Sequence, residues 1–270
     1  MPTDTQPSDT PMADLDRDLP ELLDLEYDGF VEDLPFYESL ARRCDGSILE
    51  LGVGADRVAI PLAQADHDVW GIDRSEGLLD RARTKAGAAL ADRLHLQTGD
   101  MREFELGREF ELIFAGLGAF HHLLTPADQL ACLRSVRRHL TPGGLFVCDL
   151  RPLFHNDWEP GASVPLSHDW TRVLPSTGET VIKLRSVRVD RAAQLQHETH
   201  IYDRLAADGT LRRVVATVDL RFTTRYEMEG LLREAGLELD QVYGDFELSP
   251  YDETSEYMIT IARRSTKEPS

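Results

Sequence analysis

The sequence contains no apolar run approaching the roughly 20 residues that a membrane-spanning helix requires, so a transmembrane helix is excluded and no membrane partner is expected. Cysteine is scarce. Cys44, Cys132 and Cys148 are odd in number, widely separated and never in a CxxC pair. That argues against a disulfide framework, gives no signature of a metal site, and fits buried thiols in a reducing compartment. Basic residues are also in short supply: 29 Lys and Arg against 48 Asp and Glu leave a formal net charge of −19. A protein that neutralises phosphates needs the opposite balance, so no nucleic-acid partner is expected. No internal repeat occurs. The opening MPTDTQPSDTPMADLDRDLP has neither an apolar signal core nor the arginine-rich character of a transit peptide, and a cytoplasmic location is the expectation.

What is present suits one large α/β domain with an insertion: 270 residues, 41% of them hydrophobic. The first 33 residues hold eleven acids and one base, Arg17, and residues 1–18 read as a disordered acidic tail. ELLDLEYDGFVEDLPFYESLARR then has the apolar spacing of two short helices broken near Asp28 and Gly29, a helical cap over 19–45. From 46 to 150 the chain alternates. SILELG, HDVWGID, RLHLQTGD, FELIFAGL and GLFVCDL read as short buried strands, separated by helical patterns such as PADQLACLRSVRRHL, which predicts a parallel sheet flanked by helices. Between 151 and 223 the period changes to two in ETVIKLRSVRVD, QLQHETHIYDRLA and LRRVVATVDLRF, with Ala207-Asp208-Gly209 as a hairpin turn, so an antiparallel sheet is inserted here. Residues 224–264 return to a helix and two strands, and 265–270 form a tail.

In an open α/β sheet, ligands bind beyond the carboxyl ends of the strands, where strand order reverses. Those ends carry the informative residues. The first strand ends in Glu50-Leu51-Gly52-Val53-Gly54, whose glycines let the backbone turn tightly and approach a ligand. Pro61 requires the following helix to start late, near Arg57 or Val58. The second strand ends in Asp73, twenty-one residues beyond Gly52, where an acid can accept hydrogen bonds from ribose hydroxyls. A nicotinamide fingerprint GxGxxG would need glycine at Arg57. The third strand ends in Gly99-Asp100-Met101, another acid at a strand end.

Glu50 to Gly54, Asp73, Gly99-Asp100-Met101 and Leu140-Thr141-Pro142-Gly143-Gly144, in that order, resemble the motifs of class I S-adenosylmethionine-dependent methyltransferases. The resemblance covers about residues 25 to 264 and is nearest to small-molecule enzymes, including amino-sugar N-methyltransferases and glycine N-methyltransferase-like enzymes. It implies a Rossmann-like doubly wound sheet with an N-terminal helical cap and an antiparallel β insertion after the fifth strand, serving as a lid. It also implies S-adenosylmethionine as cofactor and methyl transfer to nitrogen or oxygen of a small-molecule acceptor. Carried over, Glu50 would hold the cofactor ammonium, Gly52 and Gly54 would face its methionine part, and Asp73 would take the ribose hydroxyls. Asp100 would accept the adenine amino group and the Met101 N–H would reach a ring nitrogen. Ala115 and Gly116 would line the channel where the methyl emerges. A histidine followed by leucine in the corresponding loop points to His122 as base or orienting group, and a tyrosine in the cap points to Tyr27.

Asp56 departs from the pattern, which favours a small residue there. It reads either as a helix N-cap or as a carboxylate that would repel the cofactor. The second reading carries an alternative function, a non-catalytic S-adenosylmethionine-binding or regulatory protein; an NAD-dependent reductase is a further alternative, opposed by Arg57 and Asp100. Asp149 could face the acceptor or cap a loop. Trp158, Trp170, Arg185, Arg188 and Arg191 are candidates for a lid pocket, with a solvated sheet face as the competing reading of the arginines. His197 and His200, three apart on a strand, point to opposite faces and cannot share a metal.

Overall fold

The computed structural model describes residues 12–151 and 163–265. Most of the expected acidic tail, Trp158 and residues 266–270 lie outside the described residues. A cap of two helices, α1 (Met12–Tyr27) and α2 (Leu34–Ala41), precedes the sheet, and Gly29 turns the chain between them with φ of +81°. α1 begins inside the stretch expected to be disordered and continues through Pro20. Its acids explain this. Asp18 pairs with Arg204 and Arg212, Glu26 with Lys183, and Asp24 with Arg81 and Lys85, so charge that looks self-repelling in the sequence is neutralised by bases from distant segments. Leu22 and Leu25 bury themselves against Val181, Tyr202 and Val214 of the inserted sheet and Leu174 just after its first strand.

The central sheet is built from β1 (Ile48–Leu51), β2 (Val69–Asp73), β3 (Leu94–Thr98), β4 (Phe110–Ala115), β5 (Leu140–Leu150), β10 (Leu237–Tyr243) and β11 (Met258–Arg264), in the order β10-β11-β5-β4-β1-β2-β3. β1 to β5 are parallel, and β11 runs antiparallel to both of its neighbours. Helices α3 (Ala59–Gln64), α4 (Glu76–Ala86), α5 (Pro126–His139) and α6 (Arg225–Glu234) cover the faces. Every residue of β1 is buried, as a strand covered on both sides requires. Two apolar cores result: one around Leu49, Leu51, Phe146, Leu133 and Leu232, the other around Ile48, Phe114, Leu62 and Tyr37. Strand order reverses between β1 and β4, and the loops after these two strands face each other there.

The insertion is a four-stranded antiparallel sheet of β6 (Ser163–Val173), β7 (Thr180–Asp190), β8 (Leu195–Leu205) and β9 (Leu211–Arg221). The expected turn joins β8 to β9: Gly209 has φ of +85°, its N–H donates to the Ala206 carbonyl at 3.0 Å, and the Thr210 N–H donates to the Asp208 carboxylate at 2.8 Å. One face of this sheet turns toward the crevice.

Candidate active site

The loop after β1 is shaped by positive φ at Gly52 (+70°) and Gly54 (+58°). A Cβ at Gly52 would lie 2.9 Å from the Ala119 methyl, so this position has no room for a side chain. The Gly52 and Val53 N–H groups both donate to the Ile72 carbonyl. Asp73 binds the loop from the next strand, accepting the Gly54 N–H at 2.9 Å on one oxygen and the Ser75 N–H at 2.8 Å on the other. Each oxygen keeps a lone pair for a ligand donor.

Asp56 is not an N-cap. α3 starts at Ala59 behind Val58, with no side-chain cap, which also gives Pro61 the late start that it needs. Asp56 instead adopts φ of +82°, with one carboxylate oxygen 3.7 Å from Lys85 Nζ and the other buried without a partner. Burial pushes its pKa up to about 7, against the pull of Lys85. It does not itself line the cavity, although its neighbours Ala55 and Arg57 do. Arg57, where a dinucleotide loop has glycine, forms a bidentate ion pair with buried Asp33 and lies over the Phe30 ring, tying the cap to the loop.

Around this loop opens a cavity of about 1850 Å³, walled by the cap, the strand ends and the lid. Glu50 lies in its floor, 6% exposed, with one carboxylate oxygen lacking any partner. Burial pushes its pKa well above the ordinary carboxylate range, with Arg57 pulling the other way. Beside it, Asp149 is fully buried; one oxygen accepts the Tyr37 hydroxyl and the other has no partner. Burial raises Asp149 to about 6, and the Tyr37 hydrogen bond opposes the shift. Gly116 lines the cavity next to this pair, but Ala115 does not: its side chain is buried in the core, as strand alternation dictates. Met101 also lines the cavity, whereas Asp100 is turned to Arg102, which binds both of its oxygens and holds its pKa down. An adenine contact at Asp100 would share that carboxylate with Arg102.

The histidine pair divides. His121 is buried, its ring nitrogens 2.8 and 3.1 Å from the carbonyls of Arg221 and Arg151, and burial brings its pKa down to about 4. His122 borders the cavity as His121 does but is exposed there, and desolvation by the surrounding protein lowers its pKa while Asp73 works in the opposite direction. Tyr27, the last residue of α1, is 42% exposed, and that surface faces the cavity interior. It sits among enough protein that desolvation, with Glu26 and Glu198, pushes its phenol well above the ordinary value.

The lid supplies the opposite wall through Trp170, Lys183, Arg185, Val187, Gln196, Glu198 and His200. Arg191 lines it too, whereas Arg188 is exposed and does not. His197 points the other way, bonded to Asp219. Sequence reasoning missed Gln196, Glu198, Lys183 and the Tyr37–Asp149 pair. The period-two pattern marks the lid strands, but both of their faces carry polar residues, so which face turns inward has no signal in the sequence. Among the described residues, no group of three or more His, Cys, Asp or Glu is disposed to hold a metal ion.

The site thus presents hydrogen-bond acceptors, Glu50 and Asp73, on either side of a glycine loop, and it suits a ligand with donors at both positions. Residues 48–144 match a methyltransferase domain family. The chain is 27% identical over 203 residues to the dTDP-3-amino-3,4,6-trideoxy-alpha-D-glucopyranose N,N-dimethyltransferase of Streptomyces venezuelae, covering 73% of this chain and 78% of that one. It is 25% identical over 224 residues to the cypemycin N-terminal methyltransferase of a Streptomyces species, covering 83% and 85%. Among solved structures, the CcbJ methyltransferase from Streptomyces caelestis superposes with a TM-score of 0.71 at 29% identity, over 97% of this chain and 94% of that one.

Proposed function

We propose that this chain, a class I S-adenosylmethionine-dependent methyltransferase by its domain and fold, transfers the methyl group to an amine nitrogen of a small acceptor. The observation that carries the reading is the single cavity onto which Glu50, Asp73, His122 and Tyr27 all open, with the lid sheet closing the far side. The acceptor nitrogen is favoured over oxygen because of the names of the two curated relatives described above, one an N,N-dimethyltransferase of a dTDP-amino sugar and the other an N-terminal methyltransferase.

The cofactor, when bound, supplies an electrophilic methyl on a positively charged sulfur. The chain's own residues fit it. Glu50, with a buried oxygen lacking a donor, is assigned its ammonium, and the Gly52 and Gly54 backbones its methionine part. Asp73 is assigned the ribose hydroxyls, and Asp100 and Met101 the adenine end. Gly116, with Ala115 behind it, leaves the space between cofactor and acceptor open. An amine attacks through its lone pair, so it has to shed a proton before reaction. The lowered pKa of His122 keeps its ring neutral at pH 7, able to accept that proton. Tyr27 stays a phenol and orients the amine by hydrogen bonding. Positioning supplies most of the remaining acceleration, and lid and cap exclude water.

The test is a thermal-unfolding scan of the full chain with S-adenosylmethionine, S-adenosylhomocysteine, NAD and NADH, followed by an assay of S-adenosylhomocysteine release with amine and phenol panels. A ligand at about 100 times its dissociation constant adds roughly 2.7 kcal/mol to the native state. Stabilisation by the two sulfur compounds and turnover of amines are expected. Stabilisation by NADH alone would return the reductase reading, and cofactor binding with turnover of phenols only would move the acceptor atom to oxygen.

A further inference from the structure

We propose that Asp149 is a positioning residue of the acceptor side: a carboxylate fixed beneath the transfer point that faces the positive charge on the acceptor nitrogen and so favours an amine over a hydroxyl. The inference rests on the amine methyltransferase reading above and adds the residue that makes this choice.

β4 lies between β1 and β5, and Glu50 pairs with Phe114, which pairs with Val147. Alternation from that row puts Gly116 and Asp149, two residues further along their strands, on the same face of the sheet as Glu50. All three border the cavity. Neighbouring strands are about 4.8 Å apart, so Asp149 stands roughly 10 Å from Glu50 across the sheet. Glu50 is assigned the cofactor ammonium, and Asp149 lies too far along the sheet to share it. Gly116 leaves the space between cofactor and acceptor open, and Asp149 falls on the acceptor side of it. No side chain of residue 116 screens the carboxylate: a Cβ there would lie 3.6 Å from Asp149 Oδ1.

Asp149 also lacks a counter-ion. It is fully buried, its Oδ1 accepts the Tyr37 hydroxyl, and its Oδ2 has no hydrogen-bond partner among the described residues. Burial raises its pKa only to about 6, so it carries its charge at pH 7.5. A buried charge without a partner is costly, and a ligand cation would relieve that cost. Arg57 is a base whose charge bears on both Glu50 and Asp149, but Asp33 already holds it in a bidentate pair. The cavity floor therefore keeps two carboxylates that call for cations. The cofactor ammonium answers one, and a cationic acceptor answers the other.

The chemistry of transfer needs such a charge on this side. The acceptor nitrogen is positive when it arrives as an ammonium. After it has shed a proton to His122, its lone pair forms the N–C bond, the electrons of the C–S bond return to sulfur, and the positive charge passes to nitrogen. A carboxylate held in place by Tyr37 and surrounded by Phe114 and Val147 stabilises that charge without having to reorganise. A hydroxyl attacks as an anion, which the same carboxylate repels.

The test compares sinefungin with S-adenosylhomocysteine. Sinefungin carries an amine where the transferred methyl stands, so its ammonium probes the field at that point, and the remainder of the two molecules is alike. Calorimetric titration of the full chain at pH 7.5 reads the ratio of the two dissociation constants in wild type, Asp149→Asn and Glu50→Gln. Wild type is expected to bind sinefungin about 10-fold or more tightly than S-adenosylhomocysteine. Asp149→Asn should lower that preference about 10-fold and leave S-adenosylhomocysteine affinity within about two-fold, a pattern that a packing defect would not give. Glu50→Gln should weaken both ligands alike, since both carry the same α-ammonium. Wild type that binds S-adenosylhomocysteine without preferring sinefungin overturns the proposal alone, and this holds whether or not a variant folds. So does a preference that survives in Asp149→Asn or is lost in Glu50→Gln instead. Wild type that binds neither ligand overturns the methyltransferase reading and the proposal with it.

Discussion

Tyr37 in the cap donates its phenol proton to Asp149 at the end of β5, across 112 residues of chain, and both side chains are completely buried. Gly116 is fitted beside them: a Cβ there would lie 3.4 Å from the Tyr37 hydroxyl oxygen and 3.6 Å from Asp149 Oδ1. The pair fastens the cap to the strand ends that form the cavity floor. Tyr37→Phe leaves Asp149 without this donor and should cost about 1–3 kcal/mol of stability in urea unfolding. The loss should be larger at pH 8 than at pH 5, because Asp149, already raised to about 6 by burial, is ionised only at the higher pH. Equal midpoints for variant and wild type at pH 8 would show that the bond contributes nothing.

Asp73 carries two duties, holding the Gly54 and Ser75 N–H groups and presenting its remaining lone pairs to the cavity. Asp73→Ala should weaken S-adenosylhomocysteine binding more than 10-fold, since the ribose contact and the loop geometry are lost together. Asp73→Asn should fall between, as the amide oxygen can keep only part of this role. Calorimetric titration reads both, and wild-type affinity in the alanine variant would remove the ribose assignment.

His122→Ala should lower kcat about 10- to 100-fold and leave S-adenosylhomocysteine affinity within about two-fold. Desolvation lowers the ring's pKa, so the wild-type rate should fall with acid below the ordinary histidine value, and that limb should vanish in the variant. A pH–rate profile unchanged by the substitution would remove His122 as the proton acceptor.

Asp56 is a buried acid whose pKa is raised to about 7 in the folded chain. Between about pH 4 and 7 the unfolded chain has released this proton and the native chain has kept it, so this group makes stability fall as pH rises through that window. Asp56→Asn removes the titration, and asparagine tolerates the positive φ at this position. The variant should be more stable than wild type by about 1 kcal/mol at pH 8 and little changed at pH 5. Thermal melts at the two pH values check it, and a variant destabilised at pH 8 would mean that the Lys85 attraction outweighs the cost of burial.

The core was legible because its signals are local. Runs such as SILELG and FELIFAGL are apolar since both faces of a parallel strand are covered, and the strand-end residues Gly52, Gly54 and Asp73 sit at spacings set by one turn and one helix. Of Ala115 and Gly116 only Gly116 lines the cavity, since the motif marks the strand end but not the side to which each side chain turns. The helix from Met12 was unreadable because the bases that neutralise its acids come from β7, β8, β9 and α4.

By itself the sequence determined the period of each segment, the order of the strands' turn and acid signals, and hence the strand-end wall of the crevice, all of which depend on neighbours within a few tens of residues. Tertiary structure alone decided that His121 is locked between two backbone carbonyls while His122 stays exposed, that Asp56 turns to Lys85, and that Glu198 and Gln196 face inward. Those outcomes depend on burial, and burial is set by contacts between residues far apart in the chain.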